Sequence, residues 1–338
     1  MANLTDTQLL AAITKASNAL TDATEFRDYG HGTVKRLLAA ESDVFMNVEA
    51  MKQSIEQVST VDMHKSVYTA SGAAKSASHS AAAFPDSFTK NIVYTPVTQT
   101  FKVSYKQASN NRLGYDSILA YELKNKLQSF YRDMSTAALA YLAANKSQVG
   151  VDSVIAFDDV TNDRFDNPAA EADFFFENAK AAMLQNRYPG IIDMIGDQRN
   201  ATKYRRLASQ GTSNATNQMW QLPGIDYIEE PQMTVTTLGE AYMWQKGTVG
   251  MTTWNEELNR RGSGSIGNNE GLFSTMVDPI FGHVHDLHVV RGIANTSGSG
   301  GNIQDIVDEY ELTTFYSIEG AWESTANATS IFKIVQGA

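Results

Sequence analysis

Residues 115–146 read YDSILAYELKNKLQSFYRDMSTAALAYLAANK and decide the fold. Gly and Pro are absent from this stretch, so the pattern predicts one unbroken helix about 45 Å long. Its apolar residues recur at steps of three and four, which places them on one face. They are Leu119, Leu123, Leu127, Phe130, Met134, Ala138 and Tyr141. Because globular helices average about 11 residues, a helix of this length indicates a mechanical spine more than a catalytic cleft.

The segments before the long helix predict extended chain. Residues 93–105 form a β-type run. Upstream of it, residues 61–92 contain alternating positions on both sides of a small, polar segment at 71–85, which predicts a long hairpin with a mobile tip. Two interpretations stay open, a disordered surface loop or an arm that lies across a neighbouring subunit. The second is favoured, because a loop this long in a compact domain usually has a function.

The first 60 residues predict helices joined by a Gly-rich hinge at residues 28–32. One narrow apolar stripe runs from Leu9 to Leu20, and a second helical pattern runs from Val34 to Val58. Such an arm has little core of its own, so we expect it to pack on another surface.

The residues after the long helix predict a mixed α/β region. An amphipathic helix is expected over residues 170–186, with Phe174 and Phe175 among its inward residues, and a basic helix over 197–209. Strands are expected at residues 151–160, 191–195, 225–230, 241–254, 280–291, 311–318 and 330–335, the last two joined by a turn at 326–329. Polar loops are expected at residues 210–218, 260–271 and 295–302.

The amino-acid composition excludes several classes of protein and of site. The 338 residues are 42% hydrophobic, enough for the core of one large or two medium domains. The formal net charge of −11 indicates a poor nucleic-acid binder, because affinity for phosphate comes mainly from clustered Lys and Arg. The absence of cysteine excludes disulfides and thiolate metal sites. We also expect no signal peptide and no membrane-spanning helix.

One segment, residues 281–288, contains residue types that can bind a metal ion. In a strand, His283 and His285 share a face and could hold one ion together, whereas Asp286 and His288 lie on the opposite face. The alternative is a half-buried strand with imidazoles on its polar face, and no distant fourth ligand stands out. The sequence has no P-loop, G-x-S-x-G or G-x-G-x-x-G motif. We therefore expect no cofactor, no catalytic residue and no enzyme activity.

The order of these elements resembles the major capsid proteins of tailed bacteriophages, and the encapsulin shells that share their fold. Three passages carry the resemblance, residues 93–146, 174–207 and 305–335. It implies an α+β tailed-phage major capsid fold. The implied parts are an N-terminal helical arm (1–60), an extended E-loop hairpin (61–92), a P-domain with the spine helix and a β-sheet (93–150), an α/β A-domain (151–304) and C-terminal strands that return to the P-domain (305–338).

The resemblance also implies a function. It is that of a structural protein that self-assembles into the hexamers and pentamers of an icosahedral phage head around double-stranded DNA. The expected location is the virion capsid, assembled in the host cytoplasm. The expected partners are the chain itself, a separate scaffolding protein, a portal and, as an open question, a decoration protein. No specific nucleic-acid binding and no membrane are expected. A separate scaffolding protein is expected because the arm leaves no room for a large acidic segment before the hairpin.

Contacts between subunits are expected at aromatic and basic residues. These candidates are Lys65, Tyr68, Phe84, Phe88, Lys90, Arg205, Arg206, Arg260 and Arg261. Some members of the family cross-link a hairpin Lys to a neighbour's Asn. Lys65, Lys75 and Lys90 are available here, but no Asn or Glu partner can be matched to them. Two alternatives stay open, an encapsulin-type compartment and, from another class, a metal-dependent enzyme that uses His283 and His285.

Overall fold

A computed structural model describes residues 32–45, 48–58, 60–64, 87–106, 114–159, 161–210, 224–233, 239–256, 264–265, 272–278, 283–298, 301–320 and 327–337. It has the α+β class that the sequence predicts, with two six-stranded sheets, a separate two-stranded hairpin and packed helices. Within these ranges no helix has both the length and the apolar character that crossing a membrane requires.

The described helices confirm the predicted spine. They are α1 (Gly32–Ala39), α2 (Glu41–Val44), α3 (Val48–Lys52), α4 (Tyr115–Ala144), α5 (Phe175–Gln185) and α6 (Gln198–Gln210), with a 3-10 helix at Ala169–Phe174. At 30 residues, α4 is the long helix that residues 115–146 predict.

The described strands begin with the hairpin strands β1 (Thr60–His64) and β2 (Ser87–Asn91), followed by β3 (Thr95–Ser104). The next group is β4 (Ala156–Asp158), β5 (Arg164–Asn167), β6 (Ile192–Gly196), β7 (Ile225–Glu229), β8 (Glu240–Gln245) and β9 (Val249–Trp254). The last group is β10 (Gly264–Ser265), β11 (Leu272–Val277), β12 (Val284–Gly298), β13 (Gly301–Gly320) and β14 (Phe332–Gln336).

The long helix α4 packs on the first large sheet, whose order is β10–β11–β12–β13–β3, with β9 also paired to β13. Its predicted face is buried: Leu127 and Phe130 have no exposed surface, and Leu127 lies in one cluster with Leu312 of β13. Tyr141 is only partly buried, and Leu142 is the fully buried residue at this end of the helix. One face of the sheet and one face of α4 therefore form a continuous core.

The second large sheet has the order β4–β5–β14–β8–β6–β7. Every residue of β6 is buried, as expected for a strand with neighbours on both edges and a covered surface. Helix α5 contributes Phe175 and Phe176, neither of which has exposed surface, to the core of this sheet.

The segment before the hairpin packs on the body of the same chain. The second helical pattern, expected from Val34 to Val58, is divided into α1, α2 and α3. Val34 and Leu37 are fully buried in one cluster with Trp244 and α4. Residues 32–52 are therefore docked on the core, and the first predicted helix, residues 9–20, lies outside the described residues.

Three expectations in the α/β region are wrong in detail. Phe174 is 59% exposed, because a 3-10 helix precedes α5 and turns Phe176 inward instead. Among the described residues 151–159 only Ala156–Asp158 form a strand, β4, since the backbone N–H groups of Phe157 and Val151 donate to the side chains of Asp152 and Asn186 and hold the preceding loop. Ile191 lies before β6 and is 51% exposed.

The C-terminal third also differs from expectation. The loop expected at residues 295–302 is largely strand, because β12 and β13 pair continuously from Asp286↔Thr313 to Gly298↔Gly301. Part of the loop expected at 260–271 is the two-residue strand β10. The two terminal strands do not form a hairpin, since β13 pairs with β12, β3 and β9, and β14 pairs with β5 and β8 in the other sheet.

Candidate functional site

The hairpin formed by β1 and β2 stands apart from both large sheets. Antiparallel register pairs join its strands from Thr60↔Asn91 to His64↔Ser87. Among the described residues, neither strand pairs with a third. The hairpin joins the body at Ile92, which is buried in a small cluster with Phe45 and Met51. Because an isolated two-stranded hairpin is marginally stable in water, this element needs a further surface.

A second hairpin, formed by the distal halves of β12 and β13, projects from the first sheet. Strand β11 pairs with β12 only as far as Leu272↔Val289, and β3 pairs with β13 only as far as Val307↔Ser104. Beyond these pairs, within the described ranges, Ile293–Gly298 and Gly301–Ile306 pair only with each other. From Gly292 to Gly298 this projecting hairpin, residues 292–307, reaches about 20 Å at about 3.4 Å per residue.

A buried carboxylate, Asp308, lies at the root of the projecting hairpin. It accepts hydrogen bonds from Tyr105 Oη at 2.8 Å and from Tyr115 Oη at 2.7 Å. Arg291 donates to the same carboxylate from Nε at 2.8 Å and from Nη2 at 3.2 Å. Although burial alone would raise it, these bonds hold the pKa of Asp308 below its ordinary value. Tyr310 completes the cluster through a 2.8 Å hydroxyl–hydroxyl bond with Tyr115.

The Asp308 cluster joins four elements. Tyr115 is the first residue of α4, Tyr105 follows β3, Arg291 is in β12, and Asp308 and Tyr310 are in β13. The register places Asp308 opposite Val103 and Arg291, immediately before β3 ends. The cluster therefore fixes the long helix to the base of the projecting hairpin.

The two histidines of the metal hypothesis differ in burial: His285 is in the core and His283 is only partly buried. His285 is 1% exposed beneath α4, with Nδ1 2.8 Å from Thr314 Oγ1 and Nε2 3.4 Å from Tyr131 Oη. Tyr131 in turn donates a hydrogen bond to the buried carboxylate of Asp278. Burial, followed by the neighbouring His283, lowers the pKa of His285 to about 3.

This environment is that of a neutral core histidine. Burial likewise lowers the pKa of His283 to about 4. No group of three His, Cys, Asp or Glu side chains with metal-binding geometry occurs in the part of the chain that the structure describes. Both ring nitrogens of His285 face protein atoms, so the geometry favours the half-buried strand over the metal site.

A second buried charge cluster fastens α1 to the second large sheet. Asp193 of β6 and Asp226 of β7 are direct register partners, and Arg36 of α1 lies 3.4 Å from Asp193 Oδ1 and 2.5 Å from Asp226 Oδ1. Burial raises the pKa of Asp193 to about 6, while the Arg36 guanidinium acts in the opposite direction. Thr33 donates its hydroxyl to the buried carboxylate of Glu230 at 2.5 Å. Charges as well as apolar contacts therefore hold α1 in place.

The predicted contact residues have different outcomes. Phe88 and Lys90 are in β2, opposite Met63 and Val61. Lys65, Tyr68, Phe84, Arg260 and Arg261 lie outside the described residues. Arg205 and Arg206 of α6 are exposed and form ion pairs within the chain, with Glu229 and Asp173 respectively. The inter-subunit role of all nine residues stays a prediction.

The described residues also line an open cleft on the first large sheet. One open cleft of about 310 Å³ lies on the face of the first sheet away from α4, between Pro96, Glu256, His288 and Glu311. Its volume is at the lower end of the range for small-molecule sites, and its lining is mainly acidic and hydroxyl-bearing. Within the cleft the Thr313 hydroxyl donates a long hydrogen bond of 3.4 Å to Glu311, and both side chains lie on the open face of β13.

The Asp308 cluster is the arrangement that sequence reasoning missed. The tyrosine donors lie 193 residues (Tyr115) and 203 residues (Tyr105) from Asp308 in the chain, so no local motif joins them to it. The available signal was the alternation in β13, where Asp308, Tyr310 and Leu312 share the face toward the helix. A carboxylate on an apolar face indicates a buried partner, because an unpaired charge there is costly.

Comparison with known proteins adds a likeness in fold. No family model and no curated protein matches the sequence. A chain from Mycobacterium phage Che8 is 10% identical, with a TM-score of 0.48 over 86% of this chain and 88% of that chain. The capsid of a native GTA particle is 12% identical, with a TM-score of 0.44 over 86% and 90%. The capsid of cyanophage P-SCSP1u is 10% identical, with a TM-score of 0.45 over 84% and 85%. Identities and scores at this level transfer no function to the chain.

Proposed function

We propose that this chain is a shell-forming subunit, the major capsid protein of a tailed-phage head. In this proposal it self-assembles into hexamers and pentamers that enclose double-stranded DNA. The observation that carries the proposal is the β1–β2 hairpin, a sheet by itself among the described residues. A marginal two-stranded element attached to a well-packed body is stable only against a surface from elsewhere, and a neighbouring copy supplies one.

The rest of the fold suits repeated contacts between identical copies. A 30-residue helix buried along one face keeps the body rigid. Two hairpins leave this body, β1–β2 and the projecting hairpin. Contacts between a hairpin on one copy and a different surface on the next are heterologous, and they close into rings when the rotation allows. Each copy then touches several neighbours, so that modest single contacts add up to a stable shell.

The charge of the chain suits a container for DNA. With a net charge of −11, the subunit repels DNA weakly and holds it without specific binding. Under this proposal, purified particles made in a host together with their packaging machinery protect DNA from nuclease. The isolated subunit, by contrast, is not retained by a heparin or DNA column.

The remaining parts of the proposal concern partners and boundaries. The subunit assembles in the host cytoplasm with a separate scaffolding protein and a portal, and a decoration protein is an optional addition. Tyr68, Phe84 and Phe88 are the proposed anchors of the hairpin on the next copy, since aromatic residues dominate interface energetics. Lys65 and Lys90 are further proposed contacts of the same hairpin. The division into arm, E-loop, P-domain and A-domain also belongs to this proposal.

The hairpin assignment is tested by deleting residues 71–83. The expected variant folds normally, because α4 and the described strands of both large sheets come from other parts of the chain, and it assembles poorly. Circular dichroism and thermal melting measure the fold, and size-exclusion chromatography with electron microscopy measures assembly.

A length-matched Gly-Ser replacement of the same residues is the control. It keeps the length of the hairpin and removes the native side chains of its tip. It therefore separates the contribution of the segment's length to assembly from the contribution of its side chains. Assembly of the deletion variant at the wild-type yield would count against the proposed function.

A further inference from the structure

Helix α6 carries the densest positive charge in the chain. Its sequence, QRNATKYRRLASQ, contains four basic residues and no acidic residue, although the whole chain has a net charge of −11. The four lie within positions 199–206, a density of cations that no other segment of the chain reaches. They are Arg199, Lys203, Arg205 and Arg206. A concentration of positive charge on a chain of negative net charge indicates a surface that attracts an acidic partner.

These four side chains form the basic face of α6. Ala201 is buried and Tyr204 packs against the core of the second large sheet, so the opposite side of the helix points outward. The three arginines are exposed and Lys203 is partly buried. Two of the arginines also form ion pairs within the chain, with Glu229 and Asp173. The basic face is therefore a surface of mixed charge with a positive excess.

A strongly acidic segment lies at the other edge of the second large sheet. Residues 152–173 contain seven acidic residues and one basic residue. Four of the acids lie in β4 or next to β4 and β5 and form the acidic edge: Asp152, Asp158, Asp159 and Asp163. One of them, Asp163, pairs with Lys146 at 3.5 Å, so the edge keeps a negative excess.

The basic face and the acidic edge lie on different sides of the subunit. In the order β4–β5–β14–β8–β6–β7, the described strands β4 and β7 are the two edges of the sheet. Five spacings of about 4.8 Å separate them, about 24 Å in all. Helix α6 flanks β7, since Arg205 pairs with Glu229, the last residue of β7. Two unlike, complementary surfaces on different sides of one subunit are what a head-to-tail contact requires.

A second copy of the chain is the partner whose charge fits the basic face of α6. Each copy brings both surfaces, so the same contact repeats from copy to copy and closes a ring when the rotation allows. DNA fits less well, because affinity for DNA depends on clustered cations that neutralise several phosphates. Here the carboxylates of Glu229 and Asp173 lie among the four cations, and the whole chain repels a polyanion.

We propose that the basic face of α6 is an assembly contact that binds the acidic edge of a neighbouring copy. The inference rests on the proposed function and adds to it a pair of surfaces that does not involve the β1–β2 hairpin. Complementary charges at a contact raise the rate of association and fix its orientation more than they raise the final affinity. The contact therefore acts mainly on the rate of assembly, and that rate falls as salt screens the charges.

Two charge reversals at exposed positions test the contact, Arg199→Glu on the basic face and Asp159→Arg on the acidic edge. Each should lower the initial rate of assembly at low salt by at least about fivefold, measured by light scattering of the subunit with its scaffolding protein. Asp159→Arg is the more discriminating variant, because it moves the net charge of −11 toward zero and weakens the general repulsion between copies. General repulsion alone would make this variant assemble faster than wild type, whereas the contact makes it slower.

The double variant, which carries both reversals, tests whether the two surfaces meet. With the signs exchanged the attraction returns, so its initial rate should recover to at least about half of the wild-type rate. Lys102→Glu is the matched control, because it reverses a 57% exposed cation on the first large sheet, outside both surfaces, and should keep the wild-type rate. Thermal melting checks the fold of each variant. Since the two single variants change different elements, either one decides the question should the other fail to fold.

Three outcomes would overturn the contact. Wild-type rates in the folded single variants, or a double variant no faster than the single ones, would refute it and leave the shell function in place. Normal assembly of Arg199→Glu into particles that retain less DNA would refute it in favour of a DNA-binding surface on α6. Failure of the wild type to assemble, alone or with its scaffolding protein, would refute the shell function and this contact together.

Discussion

Acid destabilisation through His285 is the prediction that the structure quantifies best. This imidazole is buried beneath α4 between Thr314 and Tyr131, and burial lowers its pKa to about 3. In the unfolded chain an imidazole has a pKa of about 6.5. The unfolded state therefore takes up the proton first as the pH falls, and stability is lost below about pH 6.5.

The magnitude follows from the two pKa values. Between pH 7 and pH 5 the unfolded imidazole becomes protonated and the folded one does not, which removes about 2 kcal/mol of unfolding free energy. The complete loss, reached below about pH 3, is about 5 kcal/mol. His283, whose pKa is lowered to about 4, adds to this loss. Asp193, whose pKa is raised to about 6, opposes it, because its folded form binds a proton first.

His285→Asn separates this contribution from the others. The Asn amide lies near the position of Nδ1 and keeps a hydrogen-bonding partner for Thr314, but it does not titrate. Urea unfolding of the dispersed subunit, followed by far-UV circular dichroism at pH 7 and pH 5, measures the change. The variant should be less stable than wild type at pH 7, and its further loss on going to pH 5 should be smaller by about 2 kcal/mol.

His288→Asn is the control, because it removes a histidine from the opposite face of the same strand. It should keep the wild-type loss between the two pH values. Should His285→Asn lose as much stability on acidification as wild type, the assignment of a neutral, buried imidazole beneath the long helix would be refuted.

Further substitutions test the core and the docking of α1. Leu127→Ala, in the fully buried face of the long helix, should cost about 2–5 kcal/mol, and Phe176→Ala about 3–5 kcal/mol. Phe174→Ala, at a position that is 59% exposed, should stay within about 0.5 kcal/mol in the same urea titration, and an equal cost at both Phe positions would contradict the 3-10 helix before α5. Arg36→Met removes the cation that forms ion pairs with both Asp193 and Asp226, and it should cost about 3–5 kcal/mol at pH 7.5. That cost should shrink at pH 5.5, since protonation of Asp193 removes one of the charges, and a cost independent of pH would show that the ion cluster does not hold α1.

The parts of the fold that could be predicted from the sequence are those governed by local periodicity. The apolar stripe from Leu119 to Ala138 is buried as a period of 3.6 requires. The runs around Ile192, Ile225 and Val249 also form strands, since buried β-rich segments between turn residues have few alternatives.

The errors occur where tertiary structure overrides local chemistry. Residues 295–302 have the Gly, Ser and Asn content of a loop, yet 295–298 continue β12 and 301–302 begin β13, because the pairing between these strands extends past the part of the sheet that β11 and β3 flank. Asn327, within the turn predicted at residues 326–329, has a turn conformation with a φ of 65°, but β13 before it and β14 after it join different sheets, which alternation within each strand does not encode. Phe174 is exposed and Phe176 is buried, opposite to the expected inward position of Phe174, because the helix starts later than the apolar pattern indicates.

The candidate site was predictable only in outline. Polarity patterns indicated the β1–β2 hairpin, since its strands flank a small, polar segment. The Asp308 cluster depends on contacts between residues far apart in sequence, from Tyr105 to Asp308, and only the fold brings them together. His283 and His285 illustrate the reverse case, since a plausible metal pair in sequence becomes one core histidine and one partly buried neighbour.

The central claim is that identical copies of this chain close into a shell. Electron microscopy of the purified protein, alone and together with a scaffolding protein, tests it most directly when combined with light scattering over a range of concentrations. The account predicts closed particles, or rings of five and six subunits that convert to closed particles. Monomers at every concentration under both conditions would contradict it.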